Sequence, residues 1–179
     1  MALKATVHKV DISISDVDRN YYCDHCLTLA RHPSETNERL MVRVLAFALN
    51  AAERLEFGKG LSNEEEPALW RKSLSGEVEL WVDVGHPEER RVRRACGQAD
   101  EVKVYCYGGR ASDLWWQQNE AALTRQTNLS VAAIDVTGID RLVERTMKLQ
   151  CTLEGGYVWL SNGDAQCEVI VNAWLSKQN

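Results

Sequence analysis

Residues Glu77-Val78-Glu79-Leu80-Trp81-Val82-Asp83-Val84 alternate without a break, with aliphatic side chains at the even positions and Glu, Glu, Trp and Asp at the odd ones. Only an extended strand sorts such a series onto two faces, because successive side chains of a strand point to opposite sides. The chain is therefore expected to contain a sheet, with a strand here that turns aliphatic residues one way and carboxylates the other. Gly85 ends the run. The same alternation also describes the solvated face of an edge strand, so the pattern alone leaves both readings open.

What surrounds this strand decides the fold class. Pro87 suits a first helical turn, and Glu88-Glu89 ahead of Arg90, Arg91, Arg93 and Arg94 places acid early and base late, in line with the helix dipole. The spacing predicts a helix to about Ala99, with Arg90, Arg94 and Gln98 on one face. Strands over 102–107 and 129–136 and helices over 113–124 and 139–145 continue a β-α-β-α-β-α alternation. Near the start, residues 3–14 and 21–30 alternate on either side of Asp16-Val17-Asp18-Arg19-Asn20 and read as a hairpin. A helix of about five to six turns follows, with Ser34 as its cap, Gly58 as its stop and an apolar stripe through Met41, Val44, Leu45, Ala48, Ala52 and Leu55. Residues 58–76 lack periodicity and read as loop, with room for one helical turn. Strands over 147–153, 157–161 and 168–174 are joined by the turns Glu154-Gly155-Gly156 and Asn162-Gly163-Asp164. The expectation is an α/β roll: one compact domain over 1–179 with a mixed sheet and hairpins at both chain ends.

At 45% hydrophobic and 26% charged residues the composition excludes a disordered chain. The first ten residues carry no apolar leader and no run has membrane-spanning length, so a cytoplasmic protein without a membrane partner is expected. Six scattered cysteines read as buried thiols of a reducing compartment. A net charge of −5 argues against a wholly basic nucleic-acid coat, while leaving room for a local basic stripe. A monomer is the expected state.

Three elements carry candidate chemistry. Glu79 and Asp83 share the polar face of the 77–84 strand, and converging carboxylates can hold Mg²⁺ or Mn²⁺, which polarise a phosphodiester and activate water. The arginines that follow suit phosphate oxygens but are too basic to act as general base. Glu38, on the line of the buried helical stripe, would add a third metal ligand or pair with Arg31 or Arg43. Cys23-Asp24-His25-Cys26 makes a poor zinc site, since residues three apart on a strand face opposite sides and no second pair follows. Of Trp115-Trp116, core packing takes at least one. Signatures for dinucleotide binding, nucleoside triphosphate hydrolysis, serine esterase and zinc protease chemistry are missing.

The run Leu27-Thr28-Leu29-Ala30-Arg31-His32-Pro33-Ser34-Glu35-Thr36, Glu66-Pro67 with Trp70, Leu80-Trp81 through Gly85 and Pro87, Arg94-Ala95 with Gln98-Ala99, Trp115-Trp116 and Trp159-Leu160-Ser161 resemble the bacterial YaeQ family over essentially the whole chain. That resemblance implies a variant of the PD-(D/E)XK, restriction-endonuclease-like core, in which a helix acid, strand acids and a following basic or amide residue gather at one site. Carried over, the metal ligands would be Glu38, Glu79 and Asp83, the catalytic set Asp83, Glu79, Arg94 and Gln98, and the cofactor Mg²⁺ or Mn²⁺. The lysine usual two residues after the second acid is replaced by Gly85. The resemblance thus implies either a metal-dependent nuclease-like phosphodiesterase or a catalytically inactive module that uses the same groove to bind nucleic acid or a protein.

Overall fold

The structure, a computed structural model, describes residues 4–59, 61 and 65–178. Strands β1 (Thr6–Asp16) and β2 (Tyr21–Arg31) form the expected hairpin, in register from Thr6 opposite Arg31 to Asp16 opposite Tyr21. Asn20 enters β2 with a φ of 53°, a left-handed conformation that asparagine tolerates in tight turns. Val10, Ile12 and Ile14 of β1 point to the interior.

Helix α1 (Asn37–Asn50) is shorter than its apolar stripe predicts, and its cap is Thr36, whose hydroxyl accepts from the backbone N–H of Arg39 at 3.1 Å. Ser34 bonds to the His32 ring instead. The helix ends at Ala51, and the stripe misleads because Leu55 reaches the same core from a different element, β3 (Leu55–Phe57). The segment read as loop also holds a strand, β4 (Leu69–Lys72); Glu64 of its acidic run lies outside the described residues. Then follow β5 (Val78–Val84), α2 (Glu89–Cys96), β6 (Ala99–Cys106), α3 (Arg110–Leu123), β7 (Leu129–Asp135), a 3₁₀ turn (Ile139–Leu142), β8 (Thr146–Glu154), β9 (Tyr157–Ser161) and β10 (Gln166–Leu175).

Among the described residues, ten strands join one mixed sheet in the order β2-β1-β8-β9-β10-β7-β6-β5-β4-β3. Strands β5, β6 and β7 run parallel, as do β1 and β8, and the remaining pairs are antiparallel. The sheet curls around α1 until its edges approach one another. Phe47 of α1 touches His25 of edge strand β2 at a ring distance of 5.1 Å and Phe57 of edge strand β3 at 5.6 Å. Inside this nearly closed wall, α1 buries Leu40, Met41, Val44 and Leu45 against Leu80, Val82 and Val84. On the outer face, α2 and α3 cover a second core of Trp81, Val92, Val102, Val104 and Leu129.

The central position of β5 overturns the edge-strand reading of its alternation. It lies between β4 and β6 with both faces covered, and Asp83 is only 5% exposed. The cysteines also depart in part from expectation: all six are free, but Cys23 and Cys26 are exposed on β2. Among the described residues, no helix is long and apolar enough to cross a membrane. Losing a side-chain cap costs about 1 kcal/mol. Thr36→Ala should therefore lower stability by about that much in denaturant unfolding, while Ser34→Ala changes it by less than half as much; equal losses would contradict the assigned cap.

Candidate functional site

Asp83 stands at the centre of a tightly built polar cluster. The odd-numbered side chains of β5 face the layer of α2, so the Trp81 indole lies beside the Asp83 carboxylate and donates to Oδ2 at 3.0 Å. After Val84 the chain turns through Gly85, whose φ of 93° favours glycine; the Arg39 guanidinium lies 3.2 Å from where a Cβ would stand. The turn brings the first half of α2 back over the strand end. Arg91 then grips Asp83 with a two-pronged fork, Nε to Oδ2 and Nη2 to Oδ1, both at 2.9 Å. The same Nη2 donates to the Glu66 carbonyl at 2.9 Å. Charge-assisted forks of this kind are among the strongest side-chain hydrogen bonds, and here both carboxylate oxygens are engaged.

A cleft of about 280 Å³ opens beside this pair, lined by Arg39, Glu66, Asp83, Val84, His86 and Arg91 among others. Arg39 donates from Nη1 to the Val84 carbonyl at 3.1 Å. His86 shares a 2.8 Å hydrogen bond with Ser112 and stands between the rings of Tyr107 and Trp115; burial pushes its imidazole below the ordinary value. Glu66 accepts from the Lys59 backbone N–H at 3.0 Å, and its Oε1 lies 3.4 Å from the Lys59 ammonium; that backbone hydrogen bond leads the causes that lower its carboxyl pKa. A second, larger groove of about 500 Å³ runs along α2, where Arg90, Arg91 and Arg94 lie with Glu65 and Glu88 over Trp81. Arg94 is well exposed and its ion pair with Glu65 is long, at 3.9 Å, a kind of surface contact that contributes little.

The other residues singled out in the sequence do not join Asp83. Glu79 lies four residues back along β5, about 13 Å at strand spacing. It accepts from Arg71 at 2.8 Å and Arg54 at 3.4 Å, and the Arg71 hydrogen bond leads the causes that hold its carboxyl below the usual range. Glu38 sits in the first turn of α1, on the other layer of the sheet, and lines a separate cleft of about 380 Å³ at the carboxyl ends of β6 and β7 with Gly108, Ser112, Asp113 and Asp135. The acid that pairs with Arg43 is Glu35, 3.4 Å from its Nε. Gln98 falls beyond the end of α2, exposed, so it leaves the face shared by Arg90 and Arg94. Among the described residues, no three His, Cys, Asp or Glu side chains are placed to hold one metal ion.

The Mg²⁺ or Mn²⁺ implied by the resemblance thus does not fit Glu38, Glu79 and Asp83 as they are arranged. Trp81 and Arg91, which bond Asp83, and the Glu66 carbonyl, which Arg91 also holds, were not read from the sequence as its partners. The pairing of Leu69 with Val82 in antiparallel register carries the Glu66 segment towards Asp83, and no sequence spacing announces it.

The described residues form a mixed α/β fold with one large, nearly closed sheet, three α-helices and a buried aspartate paired with an arginine. The family model described as "YaeQ protein" matches residues 1–171. The uncharacterized protein YaeQ of Escherichia coli strain K12 is 44% identical over 177 residues, covering 97% of this chain and 98% of that protein, and its Salmonella typhi counterpart matches to the same extent. The crystal structure of the YaeQ protein from Xanthomonas axonopodis pv. citri superposes with a TM-score of 0.93 at 43% identity over 98% of this chain and 99% of that one. The YaeQ protein from Pseudomonas syringae gives 0.91 at 32% identity, with 98% of each chain covered. The chain belongs to the YaeQ family.

The Glu79 assignment is open to a pH test. A carboxyl whose folded pKa is lowered contributes stability that is fully present above its unfolded value, ordinarily 4.5, and is lost as pH falls through the folded one. Glu79→Gln should therefore lower the Tm most at neutral pH, with the difference from the parent shrinking below about pH 4.5. A difference that is constant through the acid range would rule out the pairing with Arg71.

Proposed function

We propose that the chain is a non-catalytic member of the nuclease-like class, which binds a phosphodiester backbone along the α2 groove without cleaving it. The observation that carries this reading is the commitment of Asp83. Both its oxygens are bound by Arg91 and Trp81, and neither Glu79 nor Glu38 is beside it, so the strand acids share no position for a metal that would activate water. The groove itself suits phosphate. Arg90 and Arg94 are exposed on one face of α2, and guanidinium forks match phosphate oxygens in geometry and charge. Arg94 has only a weak contact with Glu65 to give up, and among the described residues Arg90 makes no side-chain hydrogen bond or ion pair.

An acidic protein with a short basic stripe should bind weakly and with strong salt dependence, because the affinity comes from released counterions. Fluorescence anisotropy with a labelled single-stranded oligonucleotide is the test. Affinity should fall linearly on a log–log plot against salt, and Arg90→Ala and Arg94→Ala should each lower that slope by about 1. The oligonucleotide should stay intact with Mg²⁺ or Mn²⁺ present. Cleavage that disappears in Asp83→Ala would instead establish the metal-dependent nuclease implied by the resemblance, and binding indifferent to salt would remove the phosphate reading.

A further inference from the structure

The Asp83 carboxylate and a backbone carbonyl beside it share one cation, the Arg91 guanidinium. Arg91 Nη2 lies 2.9 Å from both Asp83 Oδ1 and the Glu66 carbonyl, while its Nε is 2.9 Å from Oδ2. The neighbouring Val84 carbonyl is taken by a second guanidinium, Arg39, from α1. Arg91 of α2 thus bridges the Asp83 carboxylate and the Glu66 carbonyl beside a small cleft that Arg39 of α1 and Val84 also line. Carboxylate and carbonyl oxygens are the ligands that hard divalent cations select.

We propose that Arg91 is a tethered cation occupying the position of a divalent ion at Asp83, so that the site is a metal site filled by the protein's own guanidinium. The mismatch between the metal implied by the resemblance and the residues present then has a physical cause: the charge that a buried carboxylate requires is supplied within the chain. Removing the guanidinium leaves Asp83 buried without its strongest partner and vacates space contiguous with a cleft of about 280 Å³. Mg²⁺ retains several of its waters when bound, so the Asp83 carboxylate and the Glu66 carbonyl suffice as protein ligands. This inference uses the Asp83–Arg91 pair on which the proposed function also rests, but it concerns uptake of a metal by a variant, not nucleic-acid binding by the parent, so the two fail separately.

The test is thermal unfolding of the full chain in EDTA and in MgCl₂ or MnCl₂ over roughly a hundredfold range of concentration, with NaCl at matched ionic strength as control. The parent Tm should not respond to the metal. Arg91→Ala should melt lower in EDTA and gain an equal increment of Tm for each tenfold rise in metal, as a ligand bound only by the folded state requires. Asp83→Asn/Arg91→Ala should lose that response. If Arg91→Ala is unfolded in EDTA, circular dichroism should show it refolding on addition of Mn²⁺, and electron paramagnetic resonance should count about one bound Mn²⁺ per chain. The proposal is overturned if Arg91→Ala is indifferent to metal in melting or refolding, as it would be if Lys59 or another side chain replaced the lost charge. It is equally overturned if the double variant responds as strongly as the single one.

Discussion

A carboxylate in the middle of a strand covered on both faces cannot stand alone. Asp83 is 5% exposed, β5 is flanked by β4 and β6, and an unpaired charge at such a position would cost several kcal/mol. The Arg91 fork answers this requirement, and much of the local architecture follows from it. Gly85 turns the chain sharply so that α2 starts close to the strand end, which places Arg91 within reach. Trp81, two residues before Asp83 on the same face, gives its indole N–H to the carboxylate and its bulk to the core under α2. The Glu66 carbonyl, held by the same guanidinium, ties the approach to β4 to this centre. One ion pair therefore joins a strand, a helix and a connecting segment.

The same constraint separates the remaining acids. Strand geometry puts Glu79 on Asp83's line but too far along it, and there Arg71 and Arg54 neutralise it locally. Glu38 belongs to the helix enclosed by the sheet and emerges at the ends of β6 and β7 into a different cleft. Each carboxylate thus lies in its own polar surroundings, and α2 presents exposed arginines at Arg90, Arg93 and Arg94. Under the proposed function, that helix face is where a polyanion would be held.

Much of the fold was legible from periodicity. The β1–β2 hairpin, the β5-α2-β6-α3-β7 series and the three closing strands stand close to where alternation, helical spacing and glycine turns place them. The misreadings share one origin, the inability of a local pattern to report what covers it. Leu55 continues the stripe of α1 in sequence but enters the core from β3, and β4 is too short and too polar at Arg71 and Lys72 to show alternation. The alternation of β5 suggests a half-exposed strand, whereas α2 covers the polar face and converts Asp83 from a solvated acid to a buried one. For the candidate site, the sequence pattern singled out Asp83 but not the side chain that it pairs with. The i, i+4 rule drew attention to Arg90 and Arg94, the outward face of α2, while the residue that reaches Asp83 is Arg91, which points back to the sheet. Partners that meet through a turn and a strand register carry no spacing signal of their own.

The central claim is that the buried charge of Asp83 is met by Arg91 and by no metal in the parent protein. The most direct measurement is a crystal structure of the parent grown with Mn²⁺, with anomalous scattering used to locate the ion. The account predicts no anomalous peak at the Asp83 carboxylate and the Arg91 fork at hydrogen-bonding distance, as in the 2.9 Å contacts found here. A manganese peak at about 2.2 Å from an Asp83 oxygen, with Arg91 swung away, would contradict it.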